Sequence, residues 1–428
     1  CSSMDLLQLQ SSIKRNPTAY REEFLQQQRH FAAEFQVFLL KPSKEYKQFA
    51  ALIIFLAQVA ACYPQDLQQF PTQLANLLEQ HGHILEPELR KILVQSLVLL
   101  RNRNVITASS LLTLFFKLFR IKDKKLRAVL YHHIVNDIRR LNSRKRDEKV
   151  NRALQNFMYT MLQDTTKIAA RKSLEVMIEL FKTGVWKDSK TVNVISTAVF
   201  SNDPKMVLAT INFFLNPPKD ADNEQEDKEY RYSKRDIIKK FGHGVIKKTN
   251  KKKRKLKEAL AELGHKRKHQ LKNRMDDRRN FNYAAVMMIN DPQGYAEKVY
   301  RVLLKSSDRF ETKIMLMALL SRFIASHQLV LLDFYSFMQR YLAPHQPHIT
   351  NMMAIAAQAC HNLVTPEAIE PLVKTIAFNF ISDRRSNEAI VVGLNTVREI
   401  CLRCPLVMTE PLLHDLLEYR HNHDKGIS

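Results

Sequence analysis

The chain has 428 residues, of which 45% are hydrophobic and 26% are charged, so it can bury a sizeable core and is not a disordered chain as a whole. Its 67 Lys and Arg residues outnumber its 43 Asp and Glu residues, and the resulting net charge of +24 favours polyanionic partners such as nucleic acid. Eight glycines are too few for a hairpin-rich sheet, and five scattered cysteines argue against a disulfide-stapled secreted protein.

The N-terminal region contains the longest apolar run of the chain. It covers residues 49–62, includes Gln58, and is shorter than the roughly 20 residues needed to cross a bilayer. We therefore expect no membrane span. Because the sequence starts at Cys1 and not at methionine, we also expect it to be part of a longer protein.

Amphipathic helices are predicted at regular intervals between residues 89 and 215. Apolar residues recur there at helical spacing, and the stripes start about 35 to 45 residues apart, as in HEAT-like helix pairs. The stripes are Leu89, Ile92, Leu93, Leu97 and Leu100; Leu126, Val129, Leu130, Ile134 and Ile138; Ala170, Leu174, Met177, Ile178 and Phe181; and residues 206–215. A capping Asp203 before Pro204 predicts the start of the last of these helices.

The same period returns after a break, at residues 314–324, 352–363 and 389–400, and Thr365 before Pro366 predicts another helix start. Each such unit has an apolar face that only a neighbouring unit can cover. The sequence therefore predicts an all-α, HEAT/armadillo-like helical-repeat solenoid with a long side surface. A charged, partly disordered insert is expected to interrupt it.

Charge patterning divides the chain into three predicted segments. A first repeat array covers residues 1–217 and ends at Pro217-Pro218, and a second covers 280–428. The linker or arm between them, 218–279, is first acidic and then strongly basic. Residues 219–229 carry six acids, whereas residues 234–279 carry 19 Lys or Arg against five acids, a local net charge of +14.

The basic part of this arm is the predicted interaction site. Lysines along an extended segment displace counterions from a phosphate backbone and give salt-sensitive, largely sequence-independent affinity. The run is equally compatible with a nuclear localisation signal for an import receptor, and a merely solvated linker is the third interpretation. The candidate residues are Lys247, Lys248, Lys251, Lys252, Lys253, Arg254, Lys255, Lys257, Lys266, Arg267 and Lys268.

Enzymatic and metal sites find little support in the sequence. Residues 242–249 resemble a phosphate loop only superficially, because no glycine directly precedes the lysine and no apolar strand leads into the segment. Cys401 and Cys404 form a Cys-x-x-Cys pair upstream of three histidines, but both thiols continue an apolar helical stripe that ends at Pro405, which favours core cysteines over zinc ligands. We expect no cofactor.

Other chemically suggestive residues are interpreted as structural. The pairs His132-His133 and His345-x-x-His348 lack carboxylates in a metal-hydrolase arrangement. The single tryptophan, Trp186, lies between two predicted helices, where we expect it to pack against a neighbouring repeat. The sequence thus predicts a protein that is not an enzyme and has no small-molecule substrate.

Several long strings of the sequence resemble the eukaryotic severe-depolymerisation-of-actin family of nucleolar ribosome-assembly factors. They are SIKRNPTAYREEFL from Ser12, LQNFMYTML from Leu154, KTVNVI from Lys190, NDPQ from Asn290, YLAPHQ from Tyr341 and RCPLVMTE from Arg403. The resemblance extends over nearly the whole chain. The family continues well beyond the length of this chain, and the acidic block before the basic arm is short here.

The resemblance implies a role in maturation of the large (60S) ribosomal subunit precursor and its export from the nucleus, with localisation to the nucleus and nucleolus. It also implies contacts with pre-ribosomal RNA, with the 5S ribonucleoprotein region of the precursor particle and with other assembly factors. Protein transport and actin cytoskeleton organisation are attached to the family, although nothing in this sequence resembles an actin binder. No catalytic residues come with the resemblance.

Two other classes remain as alternatives. An importin-like helical adaptor for protein transport would use the basic arm only for its own nuclear entry. Carriers of basic cargo are expected to have acidic inner surfaces, whereas this chain carries about +10 even outside residues 234–279. An enzyme acting on RNA would need paired carboxylates at metal-binding spacing, which the sequence does not show.

Overall fold

A computed structural model describes residues 6–40, 46–144, 148–215, 257, 261, 284–307, 309–382 and 385–421. Within these ranges the regular structure is helical and no strand is present, so the predicted all-α repeat fold is confirmed. The chain divides into two compact units, unit 1 (Cys1–Lys187) and unit 2 (Asp188–Ser428).

Unit 1 is a stack of helix pairs. Its helices are α1 Leu6–Arg15, α2 Arg21–Leu40, α3 Lys47–Val59, α4 Phe70–His81, α5 Pro87–Asn102, α6 Ala108–Leu118, α7 Lys124–Arg144, α8 Glu148–Leu162 and α9 Lys167–Lys182. Helices α1, α3, α5, α7 and α9 follow one another in one layer, and α4, α6 and α8 form the second layer. Each odd-numbered helix from α3 onward also packs against the even-numbered helix that precedes it, which is the arrangement of HEAT repeats.

The predicted apolar stripes are the buried faces of these helices. In α5, Leu89, Leu93 and Leu97 are at most 1% exposed, because they face the neighbouring helices of both layers. The stripes predicted at 126–138 and 170–181 likewise lie within α7 and α9. Helical periodicity in the sequence therefore identified the buried faces of α5, α7 and α9.

Trp186 lies after α9, near the end of unit 1. Its side chain is fully buried, and the indole Nε1 donates a hydrogen bond to Asn151 Oδ1 on α8 at 3.0 Å. Asn151 in turn exchanges hydrogen bonds with Asn142 on α7. The expectation that Trp186 packs against a neighbouring repeat is confirmed.

Unit 2 continues the same architecture. Its helices are α10 Ser189–Thr197, α11 Pro204–Leu215, α12 Pro292–Lys305, α13 Phe310–His327, α14 Leu332–Gln339, α15 Ile349–Ala359, α16 Pro366–Phe380, α17 Asn387–Arg403 and α18 Glu410–Leu417, with short 3-10 turns at Ala198–Phe200, Pro405–Val407 and Glu418–His421. Helices α11, α13, α15 and α17 form one layer, and α14 packs on α16 in the other.

The stack of unit 2 is continuous across the charged segment of the sequence. Arg322 Nη1 on α13 donates to the carbonyl oxygens of Phe214 and Leu215 at 2.7 and 3.0 Å, which caps the C-terminal end of α11. Phe214 also contacts Phe323 edge-on, with ring centroids 5.5 Å apart. The helix before the charged segment thus lies in the same compact unit as the helices after it.

The predicted segment boundaries at 217/218 and 279/280 stay a prediction, because residues 216–283, except Lys257 and Ala261, lie outside the described residues. The predicted starts at Pro204 and Pro366 are confirmed as the first residues of α11 and α16.

The stripe expected at 352–363 is shorter than predicted. Helix α15 ends at Ala359, since Cys360 adopts an extended backbone conformation, and Leu363 is 58% exposed.

Among the described helices, none combines the length and the apolar character needed to span a bilayer. Cys62, Cys360, Cys401 and Cys404 are free thiols.

Candidate nucleic-acid interface

The predicted basic arm is largely outside the described part of the chain. Lys257 is described and is exposed to solvent. The other candidates stay predictions and lie outside the described residues: Lys247, Lys248, Lys251, Lys252, Lys253, Arg254, Lys255, Lys266, Arg267 and Lys268. The geometry of a nucleic-acid interface therefore has to be sought on the helical body.

Most basic side chains on the body of unit 1 are used internally. Three Arg–Asp pairs connect successive helices of the stack: Arg90 with Asp123 at 3.4 Å, Arg101 with Asp137 at 3.1 Å and Arg120 with Asp164 at 2.8 Å. Each pair joins a helix or turn to the next repeat and compensates its own charge. They hold the repeats in register, and the charges of these three arginines are compensated within the protein.

Two of the acids in these pairs, Asp164 and Asp123, also accept hydrogen bonds from backbone N–H groups. Burial opposes ionisation of Asp164, but hydrogen bonds from the Thr166 backbone N–H and from the Arg120 side chain outweigh it and lower the pKa of this carboxyl. Asp123 accepts from the backbone N–H of Leu126 at 3.0 Å in addition to its pair with Arg90. Neither carboxylate is left to neutralise exposed lysines nearby.

A lysine cluster stands at the start of α7. Lys122, Lys124 and Lys125 are exposed and make no ion pair with any described residue. Lys124 and Lys125 lie in the first turn of α7, which contains no acid, and Asp123 before it pairs with Arg90. Cations at a helix N-terminus oppose the helix dipole and lower helix stability. The cluster thus has no stabilising function in the helix that carries it.

The parallel register of α7 and α9 places a further lysine beside this cluster. Lys172 Nζ lies 5.6 Å from the centroid of the Tyr131 ring, and Arg139 pairs with Glu179 at 3.3 Å, so the two helices are offset by about forty residues. With that offset the exposed Lys167 at the start of α9 lies next to the first turn of α7. Burial together with the Glu179 and Glu175 carboxylates raises the pKa of Tyr131 to about 12.

Unit 2 also has a group of unpaired cations, on α12. Lys298, Arg301 and Lys305 are exposed, at positions i, i+3 and i+7 of the helix. Tyr295, Val299 and Leu303 bury the opposite face. The three cations therefore form one stripe on the solvent side, about 10 Å long.

Two arginines extend this stripe across the turns that follow α12 and α14. Arg309 directly precedes α13 and Arg340 directly follows α14, and both are exposed. The rings of their sequence neighbours, Phe310 and Tyr341, stack with centroids 6.1 Å apart and an interplanar angle of 29°. This ring contact joins the two turns that carry the arginines, although they are far apart in sequence.

A row of aromatic contacts supports this region. Tyr300 on α12 meets Phe337 edge-on at 5.9 Å, and Phe337 contacts Tyr341 at 5.1 Å. The Tyr300 hydroxyl donates to the Asp333 carbonyl oxygen at 3.1 Å, and burial is the main cause that raises its pKa. We call Lys298, Arg301, Lys305, Arg309 and Arg340 the unit 2 basic surface.

The cysteines have the environment of core residues. Cys404 is buried, and its Sγ donates to the His361 carbonyl oxygen at 3.0 Å, while Cys401 is half-buried. Burial raises the pKa of Cys360, Cys401 and Cys404, so these thiols are protonated near neutral pH. In the part of the chain that is described, no three His, Cys, Asp or Glu side chains are grouped to hold a metal ion.

The histidines of the two pairs differ in their exposure to solvent. His132 is exposed, whereas His133 is half-buried between helices, where burial lowers its pKa. His345 and His348 are exposed, and His348 precedes α15 in the left-handed region, with φ of 60°.

A groove of about 1040 Å³ lies between α16 and α18. Phe378, which is 84% exposed, and Leu412 line it together with the Glu370–Lys374 ion pair and Asp415. No described residue of α18 is buried.

Sequence reasoning missed the unit 2 basic surface. The spacing of Lys298, Arg301 and Lys305 is readable as a helical stripe once α12 is predicted. The contribution of Arg309 and Arg340 could not be predicted from the sequence, because only packing between helix ends joins the two turns that carry them.

The chain matches the family described as "SDA1, HEAT repeat" over residues 55–423. It is similar to "Protein SDA1 homolog" of Dictyostelium discoideum, with 47% identity over 431 residues that cover 99% of this chain and 56% of the relative. It is also similar to "Protein SDA1 homolog" of Xenopus tropicalis, with 46% identity over 99% of this chain and 61% of the relative. "Protein sda1" of Schizosaccharomyces pombe is 36% identical, again over 99% and 61%. The chain thus spans somewhat more than half of the length of these relatives.

Proposed function

Because the chain belongs to the SDA1 family, we propose that it is a non-enzymatic assembly factor of the large ribosomal subunit, which binds the precursor particle and is needed for its maturation and nuclear export. Family membership is the observation that carries this proposal. The proposed place of action is the nucleus, and the nucleolus in particular. The proposed partners are pre-ribosomal RNA, the 5S ribonucleoprotein region and other assembly factors.

The fold supports a scaffold in this role. Repeat stacks hold long, rigid side surfaces on which protein and RNA can dock by shape. The Arg–Asp pairs Arg90–Asp123, Arg101–Asp137 and Arg120–Asp164 fix the repeats of unit 1 in register, and Arg322 fixes α11 on α13 in unit 2. Such a body can keep its shape while a partner binds.

Charge supports an RNA partner. Residues 234–279 hold +14 of the total net charge of +24, and phosphate backbones attract such segments without sequence preference. In the proposed mechanism the helical body docks on protein and rRNA, while Lys251 to Lys255 and their neighbours contact phosphates. The same run also serves as the sequence that an import receptor reads.

The test is purification of the tagged protein from cells, followed by a moderate salt wash and identification of the RNA and proteins that remain bound. The proposal expects precursor rRNA of the large subunit together with other assembly factors. Recovery of a protein cargo without rRNA would contradict it and favour the importin-like adaptor.

A further inference from the structure

We propose that the unit 2 basic surface is a second RNA contact, at which Lys298, Arg301, Lys305, Arg309 and Arg340 bind the phosphate backbone independently of the basic arm. The inference rests on the proposed function, because that function supplies RNA as the polyanion.

The first support is the pairing state of these side chains. All five are exposed, and none pairs with a described carboxylate. Lys117 and Lys374 differ, since Lys117 pairs with Glu79 at 2.7 Å and Lys374 pairs with Glu370 at 2.6 Å. Packing or pairing within the protein does not account for five uncompensated cations in one place.

The second support is the arrangement of the charges. Lys298, Arg301 and Lys305 follow one line along α12. Arg309 lies in the turn that follows α12, and the Phe310–Tyr341 ring contact brings the turn that carries Arg340 to it. A line of separate cations fits a chain of phosphates better than it fits a single compact anion. Three of the five are arginines, whose planar guanidinium groups make bidentate hydrogen bonds to phosphate.

The third support is rigidity. The stripe lies on a helix whose opposite face is buried, and the ring contacts of Tyr341 with Phe310 and Phe337 join the turns that carry Arg309 and Arg340. Charges on a fixed frame lose less conformational freedom on binding than charges on a free segment. The surface is therefore suited to positioning RNA, and the basic arm to adding affinity.

Among macromolecular partners, charge and polarity favour RNA over a lipid surface. Leu304, 52% exposed, is the described large apolar side chain within the stripe, and one leucine is too little to enter a membrane interface. An acidic protein segment would also meet the charges, but carboxylates on flexible side chains do not form the continuous line of charge that a phosphate backbone provides.

The experiment uses the full 428-residue chain and a fluorescein-labelled RNA hairpin as probe, with affinity measured by fluorescence anisotropy between about 50 and 200 mM salt. The surface variant carries Lys298→Gln, Arg301→Gln and Lys305→Gln. The arm variant carries Lys251→Gln, Lys252→Gln, Lys253→Gln, Arg254→Gln and Lys255→Gln. The matched control carries Lys91→Gln, Lys117→Gln and Lys374→Gln, which remove the same charge from lysines that pair with carboxylates.

The surface variant should bind about 10- to 100-fold more weakly near 0.1 M salt, and the slope of log affinity against log salt should fall by about 2 to 3. The control should stay close to the unsubstituted chain. Combining the arm and surface substitutions should lower the affinity further, because the two contacts are independent. Circular dichroism confirms that the variants are folded.

Three results would count against the inference. If the surface variant matched the control while the arm variant lost affinity, the surface would not be an RNA contact and the proposed function would stand. If the unsubstituted chain bound no RNA, the RNA contact of the proposed function would fail as well. If the surface variant lost binding to labelled polyglutamate and to RNA to the same extent, the result would point to an acidic protein partner.

Discussion

Arg101 and Asp137 form an ion pair inside the first repeat stack, with Arg101 Nε 3.1 Å from Asp137 Oδ2 and the two side chains 14% and 1% exposed. The second carboxylate oxygen, Oδ1, is buried and has no hydrogen-bond partner among the described residues. Arg101 is therefore the main compensation for a buried charge between α5 and α7. Removing the arginine leaves that charge buried, which is costly even where the intact pair contributes little.

Arg101→Met should lower the free energy of unfolding by about 3 to 5 kcal/mol, because Asp137 loses its partner without gaining water. Urea unfolding followed by the fluorescence of Trp186, which lies in the same unit, measures the change. Lys117→Met, which breaks an exposed pair with Glu79, is the control and should cost less than about 1 kcal/mol. The double variant Arg101→Met/Asp137→Leu should recover much of the loss, and no recovery would show that the arginine acts through packing alone.

Charge reversal at the start of α7 should stabilise the fold. Lys124→Glu and Lys125→Glu place acids at the positive end of the helix, which should add about 0.3 to 1 kcal/mol each. Lys305→Glu is a control of opposite sign, because Lys305 lies in the last turn of α12 and an acid there is unfavourable. Thermal unfolding followed by circular dichroism should give a higher midpoint for the first pair and a lower one for the control. Equal signs would contradict the dipole argument.

The buried thiols predict a loss of stability in alkaline solution. Burial raises the pKa of Cys360 and Cys404 above the value of 9.0 of a free thiol, so the folded state disfavours the thiolate. This stability is complete below pH 9 and falls as pH rises from there toward the folded pKa values. Urea unfolding between about pH 8 and pH 10 should therefore show a decline that becomes smaller in Cys360→Ser/Cys404→Ser.

Val407→Ala serves as the control for this experiment, because it removes buried volume near Cys404 without removing a titratable group. It should lower stability at every pH and leave the alkaline decline unchanged. A decline of the same size in the serine double variant would refute the role of the thiols.

The single tryptophan reports on the end of unit 1. Trp186 should emit at the blue end of the tryptophan range and resist quenching by iodide, because its side chain is fully buried. Asn151→Leu removes the acceptor of the indole N–H and should cost about 1 to 3 kcal/mol. Asn136→Leu, an exposed change on α7, is the matched control. If both variants unfold at the same urea concentration, the Trp186–Asn151 hydrogen bond does not contribute to stability.

The sequence by itself determined the helical repeat fold. Stripes such as Leu89, Leu93 and Leu97 repeat at the period of the α-helix, and a helix with one apolar face has to bury it against a neighbour. Two helix starts were also predictable from the sequence, because a capping residue precedes Pro204 and Pro366, which are the first residues of α11 and α16. The excess of positive charge and its concentration before residue 280 were also visible without a structure.

Only the tertiary structure decided which charges are free and which helices are neighbours. Arg101 and Lys298 are both basic residues of helices, but packing places a carboxylate beside the first and solvent beside the second. The contact of Arg322 with Phe214 joins residues 108 positions apart, and no local pattern encodes a partner at that distance. Periodicity specifies which face of each helix is buried, whereas the shape of the packed side chains selects the helix that covers it.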